Sequence, residues 1–183
     1  MNKEQLKQCI DAYGTDIFAF CSRITCNRQE AEDLYQDTFL KAVELGENMD
    51  ETRNPKSYLV SIAIRIWKNR KRKFAWRKRI AGEQTLMEET LGENALNSGD
   101  FSGDYVSSPE EFLLNREVTF EVRKAVAKLE EKYRMPVYLF YTMEFSIEQI
   151  AQIMKLPKGT VKSRLYKARK LLKEELEVVL DET

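Results

Sequence analysis

Two stretches of the chain gather cationic side chains in a manner suited to a polyanion. Residues 155–173 carry Lys155, Lys158, Lys162, Arg164, Lys167, Arg169, Lys170 and Lys173 with no acid among them. Between Asn54 and Gly82, Lys56, Arg65, Lys68, Arg70, Lys71, Arg72, Lys73, Arg77, Lys78 and Arg79 are again free of acids, and Trp67, Phe74 and Trp76 are interleaved with them. Ammonium and guanidinium groups neutralise phosphates, while aromatic faces stack unpaired bases. The second stretch therefore suits an opened single strand. From Glu83 to Phe112 the sign reverses, with Glu83, Glu88, Glu89, Glu93, Asp100, Asp104, Glu110 and Glu111 and no basic residue. Two basic blocks held apart by an acidic spacer suggest two contacts with a polyanion in preference to two solvated helix faces.

Other chemistries lack their residues. The 183-residue chain has no His, which removes imidazole as base, triad member or metal ligand. Cys9, Cys21 and Cys26 are odd in number and form no CxxC pair, so they read as small buried apolar side chains. Asp33 and Asp37 could hold Mg²⁺, but neither a GxxxxGK[ST] loop nor an acidic cluster beside a basic groove accompanies them. The expectation is no catalytic residue, no metal and no cofactor. No run of eighteen apolar residues exists, and Met1-Asn2-Lys3-Glu4-Gln5-Leu6 has no apolar signal region, so a cytoplasmic protein without membrane insertion is expected.

The elements that must position these side chains are helices. Formal charges balance at 30 to 30, and the 43% hydrophobic content is enough for real cores. Asn27 with Glu30, Ser108 with Glu111, and Ser146 with Gln149 fit capping boxes, and Asn54-Pro55 sets a cap before a first-turn proline. Asp33, Asp37 and Lys41 recur every fourth residue, a polar stripe opposite Leu34 and Ala42. Tyr58, Leu59, Ile62, Ala63 and Ile66 form an apolar stripe that Val60, Ile64 and Trp67 widen past half the circumference. Such a helix is either sandwiched within its domain or offers a second surface to a partner. Gly92 to Pro109 collects the loose Gly, Asn and Ser sequence and reads as a tether. With no clean strand alternation, the class is all-α: a domain at 1–82, a flexible acidic linker at 83–111 and a domain at 112–183. Within the last, Ser146–Met154 is a short helix, Lys155-Leu156-Pro157 breaks it, and a second helix runs from Lys158 with Val161, Leu165, Ala168 and Leu172 inward. This is a helix-turn-helix. Its exposed start, Lys158, Thr160, Lys162, Ser163 and Arg164, would meet base edges, and Lys167 and Arg169 would reach phosphates.

The run from Leu129-Glu130-Glu131-Lys132-Tyr133-Arg134 to Gly159-Thr160-Val161-Lys162-Ser163-Arg164-Leu165-Tyr166-Lys167-Ala168-Arg169 resembles region 4 of bacterial sigma factors, closest to the extracytoplasmic-function (ECF) group of the sigma-70 family. Ala31-Glu32-Asp33-Leu34-Tyr35-Gln36-Asp37-Thr38-Phe39-Leu40-Lys41-Ala42 is similar to the family helix that docks on the clamp helices of the polymerase β′ subunit. Tyr58 to Lys73 looks like its promoter-melting helix. The resemblance implies a sigma factor that binds core RNA polymerase through β′ and β, reads promoter DNA and has no catalysis of its own. It implies −35 contacts from the seven residues of the second helix just named. It implies −10 and melting contacts from Arg65, Trp67, Lys68, Asn69 and Arg72, and polymerase contacts from Asp33, Leu34, Gln36 and Asp37. Gly46 to Arg53 would receive an extruded base. An anti-sigma factor, often membrane-tethered, is the expected regulator, suggested here by the wide apolar face of the Tyr58 helix, and the free protein is expected to be a monomer. Two residues depart from the family pattern: Arg65 stands where many relatives have Asn, and Lys155 where a turn glycine is usual. The alternative is a helix-turn-helix regulator acting without polymerase, which leaves the Asp33–Asp37 helix and the melting-like helix without a role.

Overall fold

A computed structural model describes residues 3–45, 54–80 and 109–181, with side chains at 4–45, 54–80 and 119–177. The described chain is helical throughout: α1 (Lys3–Thr25), α2 (Arg28–Glu44), α3 (Pro55–Ile80), α4 (Pro109–Lys128), α5 (Glu131–Val137), a π-helical turn (Tyr138–Thr142), α6 (Ile147–Met154) and α7 (Lys158–Asp181). No strand occurs among the described residues, in agreement with the all-α reading. Ser108, the Gly46–Arg53 segment and the acidic spacer up to residue 108 lie outside them.

Local chemistry sets the helix ends. The Asn27 side chain accepts from the Glu30 amide at 3.0 Å, and Asn54 Oδ1 accepts from the Lys56 amide at 3.0 Å with Pro55 opening α3. Each occupies an otherwise orphaned donor, a contribution of about 1 kcal/mol. At α6 the box is reciprocal: the Gln149 amide donates to Ser146 Oγ at 3.2 Å and the Ser146 amide to Gln149 Oε1 at 2.9 Å. Lys155 ends α6 in the left-handed region, at φ 55° and ψ 50°. The Leu156 amide reaches back to Ala151 O at 2.9 Å and the Lys155 amide to Gln152 O at 3.3 Å, a Schellman closure. The lysine thus occupies the conformation that a glycine would adopt without strain.

Helices α1, α2 and α3 pack on one another around Ile17, Phe20, Ile24, Leu34, Leu59 and Val60, all essentially fully buried. Burying side chains of this size contributes roughly 1.5–3 kcal/mol each. Gly14 permits the close approach of α2, since a Cβ there would stand 2.9 Å from the Tyr35 hydroxyl. Helix α3 is buried over more than half its circumference, with Val60, Ile64 and Trp67 joining Leu59, Ile62 and Ala63 in the core. It is therefore sandwiched, and the wide apolar face that suggested a partner is spent on internal packing.

In the C-terminal half, α4, α5 and α6 pack against α7 over Leu139, Ile150, Val161 and Leu165. The π-helical turn turns Leu139 and Met143 inward and leaves Phe140 and Tyr141 outward as an edge-to-face pair. Helix α6 also lies against α3, so both halves share one continuous apolar core.

Candidate nucleic-acid and polymerase interfaces

The first interface is the start of α7. Val161, Leu165 and Ala168 are buried, which turns Lys158, Lys162, Ser163, Lys167 and Arg169 to the exterior, with Thr160 and Arg164 half-buried beside them. The Ser163 hydroxyl donates to Thr160 O at 3.0 Å, leaving its lone pairs outward. Lys158 Nζ pairs with Glu148 Oε1 of α6 at 2.9 Å. That hydrogen bond holds the Glu148 carboxyl below its ordinary value, and Lys162 adds to the effect. Tyr166, 68% exposed, lies on the same outward surface, and the sequence analysis gave it no role. Beyond Lys173 the helix turns acidic: Glu174 pairs with Lys170, Glu177 with Lys173, and Glu175 with Lys128 of α4.

The second interface is α3. Arg65, Lys68 and Arg72 are exposed, and Asn69 is half-buried, its carboxamide oxygen accepting from Arg72. Trp67 departs from expectation. At 7% exposure it packs in the core, with Lys71 Nζ 5.6 Å from its ring centre, so its face is not open for base stacking in this conformation. The open aromatic faces lie further along: Phe74, with Lys78 Nζ 5.5 Å from its ring, and Trp76, 62% exposed.

The third surface is α2. Asp33, Gln36 and Asp37 are exposed together, whereas Leu34 is wholly buried and anchors the helix to the core, so it cannot itself touch a docked protein. Arg70 of α3 crosses over to donate to Asp37 Oδ2 at 2.6 Å and to Asp33 O at 3.3 Å, tying the acidic stripe to the basic helix. Beside the stripe, Leu6, Ile10, Tyr35, Phe39, Leu40 and Val43 line an apolar groove of about 310 Å³, in which Leu40 is 63% exposed. Gln36, Leu40 and Val43 share one face at helical spacing. That spacing was legible, but reading it as surface required knowing which face the core takes.

Where the halves meet, buried polar groups are matched. Arg134 is buried and donates to Ala127 O at 2.8 Å. Burial pushes the Tyr138 phenol up to about 12 and raises the Cys26 thiol, while Arg134 works against both shifts and Arg23 also opposes that of Tyr138. Lys71 of α3 pairs with Glu131 of α5. Cys9, Cys21 and Cys26 are all buried and free. Among the described residues there is no group of three or more potential metal-ligating side chains, and no helix is long and apolar enough to cross a membrane.

Residues 9–77 match the Sigma-70 region 2 family and residues 119–172 the Sigma-70, region 4 family. The ECF RNA polymerase sigma factor SigW of Bacillus subtilis is 26% identical over 181 residues, covering 96% of this chain and 90% of that protein. The RNA polymerase sigma-H factor of Pseudomonas aeruginosa is 29% identical over 171 residues, covering 93% and 85%. Among solved structures, the sigma factor RpoE of Bartonella quintana in complex with the anti-sigma factor NepR superposes with a TM-score of 0.73 at 26% identity, over 96% of this chain and 98% of that one.

Proposed function

Because the chain belongs to the ECF group of the sigma-70 family, we propose that it binds core RNA polymerase through α2 and carries it to promoters that α7 and α3 read. The domains divide at 1–82 and 112–183, joined by the acidic linker 83–111. Lys158, Thr160, Lys162, Ser163 and Arg164 meet the −35 bases, and Lys167 and Arg169 the flanking phosphates. Arg65, Lys68, Asn69 and Arg72 engage the −10 element, and Phe74 and Trp76 supply stacking faces for the melted strand. Asp33, Gln36 and Asp37 form the polar part of the polymerase contact, with Leu40 and Val43 as its apolar part and Leu34 as the anchor behind. The protein acts in the cytoplasm as a monomer before polymerase captures it, and performs no chemistry of its own. An anti-sigma factor holds it inactive, a reading supported by the NepR complex of its structural neighbour.

The observation that carries this reading is that one chain exposes both a recognition helix whose first sixteen residues, Lys158 to Lys173, hold no acid and a separate acidic and apolar face on α2. A regulator acting on DNA alone would need only the first. Titration of labelled protein against purified core polymerase tests it, with Asp33→Lys/Asp37→Lys as the variant and Arg70→Gln as the control for losing the Arg70–Asp37 pair. Tight binding abolished by the reversals and kept by the control is expected. No binding by wild type, with stable duplex binding by the free protein, would establish the polymerase-independent regulator instead.

A further inference from the structure

Helix α3 turns Arg65, Asn69 and Arg72 to one side, opposite the core positions Ala63 and Trp67. Arg65 and Arg72 are exposed and Asn69 is half-buried. A guanidinium holds donors only, whereas a carboxamide holds two donors and an acceptor. With that combination asparagine ordinarily recognises adenine, donating to N7 and accepting from the N6 amino group. Here the acceptor is already engaged, because Arg72 Nη2 donates to Asn69 Oδ1. The amide has no alternative orientation in this pair, since only its oxygen can accept from a guanidinium. The second lone pair of that oxygen gives adenine no opening: an amino group arriving there would set its N–H beside those of Arg72, donor against donor. Arg65, Lys68 and Lys73, the other exposed side chains within one turn of Asn69, add donors alone.

We propose that Asn69 and Arg72 form one donor-only reader that selects a guanine edge in the duplex part of the −10 element and rejects adenine, with Arg72 fixing the hydrogen-bond polarity of Asn69. The inference rests on the sigma reading, which brings α3 to that element. In the major groove guanine presents two acceptors, N7 and O6, and meets N–H groups from both side chains without loss of the bond between them. Thymine offers one acceptor, O4, cytosine a donor at N4, and adenine a donor at N6 beside its N7. To take adenine in the ordinary way the amide must let go of Arg72, giving up a bond to a charged group for one to a neutral amino group. Asn69 taken singly would favour adenine; coupled to Arg72 it favours guanine.

The test uses the full-length protein with core polymerase and duplex DNA randomised over a −35 window and a −10 window, the bound fraction being sequenced. Wild type should enrich guanine over adenine at one −10 position by about fivefold or more. Arg72→Ala should release Asn69 Oδ1, so that the guanine-to-adenine ratio at this position falls about fivefold or more and adenine also gains on cytosine and thymine. Asn69→Ala should lower the guanine preference with no gain in adenine. Arg72→Lys, which keeps a donor for Asn69 Oδ1, should keep adenine disfavoured. A residue that merely supports the helix would not move the preference from one base to another. Substitutions at Asn69 and Arg72 that weaken every sequence by one common factor would mean phosphate contacts only and would overturn the proposal. So would a wild type with no −10 guanine preference that these variants alter. Unchanged enrichment in the −35 window shows for each variant that fold and polymerase binding survive, so such a failure would leave the sigma reading standing. If wild type with polymerase selected no sequence in either window, the sigma reading would fail and the proposal with it.

Discussion

Replacing Lys155 by glycine should stabilise the helix-turn-helix, and the expected amount follows from its backbone. Lys155 adopts φ 55°, ψ 50° at the Schellman closure of α6. A residue with a Cβ in that region is strained by about 1–2 kcal/mol, which glycine avoids. Glycine also gains freedom in the unfolded chain, which offsets about 0.4–1 kcal/mol of the relief. The net expectation is a gain of about 0.5–1 kcal/mol. For a protein of this size that is a rise of about 1–4 °C in Tm, resolvable by calorimetry or by urea titration. Lys155→Ala is the control, since alanine keeps the strain while deleting the exposed side chain, and should change stability by less than about 0.5 kcal/mol. In DNA binding the two variants should not differ: both lose one cation beside the recognition helix and should weaken binding about equally, by a similar factor for every sequence. If glycine proved no more stable than alanine, the turn would carry no strain at residue 155 and the reasoning would fail.

Three other outcomes are expected. Glu148 is held below its ordinary carboxyl value by Lys158, so the folded state binds fewer protons than the unfolded chain near pH 4–5. The stabilising effect is present above the unfolded value and fades as pH falls through the folded one. The stability difference between wild type and Glu148→Gln, followed by urea titration from pH 7 to 3, should therefore shrink on acidification, and a constant difference would mean that the pair is inert. Gly14→Ala should be close to neutral alone, because a helix-propensity gain of about 1 kcal/mol meets the clash with the Tyr35 hydroxyl. In a Tyr35→Phe background the same change should stabilise, and thermal melts of the four proteins measure the coupling. Leu34→Ala should lower stability by about 2–5 kcal/mol, with polymerase affinity unaffected at temperatures where the variant stays folded; lost affinity in a fully folded variant would return Leu34 to the docking surface.

What the sequence made legible was local. The caps at Asn27, Asn54-Pro55 and Ser146–Gln149 are set within four residues, and so they can be read from spacing alone. The inward positions Val161, Leu165 and Ala168 follow from a clear helical period, and the helix-turn-helix with them. Trp67 could not be placed in this way, because core packing and base stacking ask for the same residue at the same spacing. The Arg70–Asp37 and Lys71–Glu131 pairs join residues 33 and 60 positions apart, and nothing in a helical period announces them. The π-helical turn is equally silent in sequence: its inward Leu139 and Met143 suit an ordinary helix with a slightly different phase. Leu40, exposed on α2, received no role from the sequence, because its place outside the core shows only once the packed face of the helix is known.

Helix α7 has a consequence of its own. Over 24 residues, about 36 Å, it passes from lysines and arginines without an acid to a tail of glutamates that hold Lys128, Lys170 and Lys173. In the field of a duplex such a rod experiences a torque. Its basic end is drawn toward the phosphates and its acidic end is turned away, so the helix arrives already pointing the right way. Flank-on or reversed encounters, which would set Glu174, Glu175 and Glu177 against the backbone, are short-lived. If α7 reads DNA as proposed, the charge ramp would select an orientation before any base is touched, and raising the salt concentration should scramble that approach before it dissolves the specific contact.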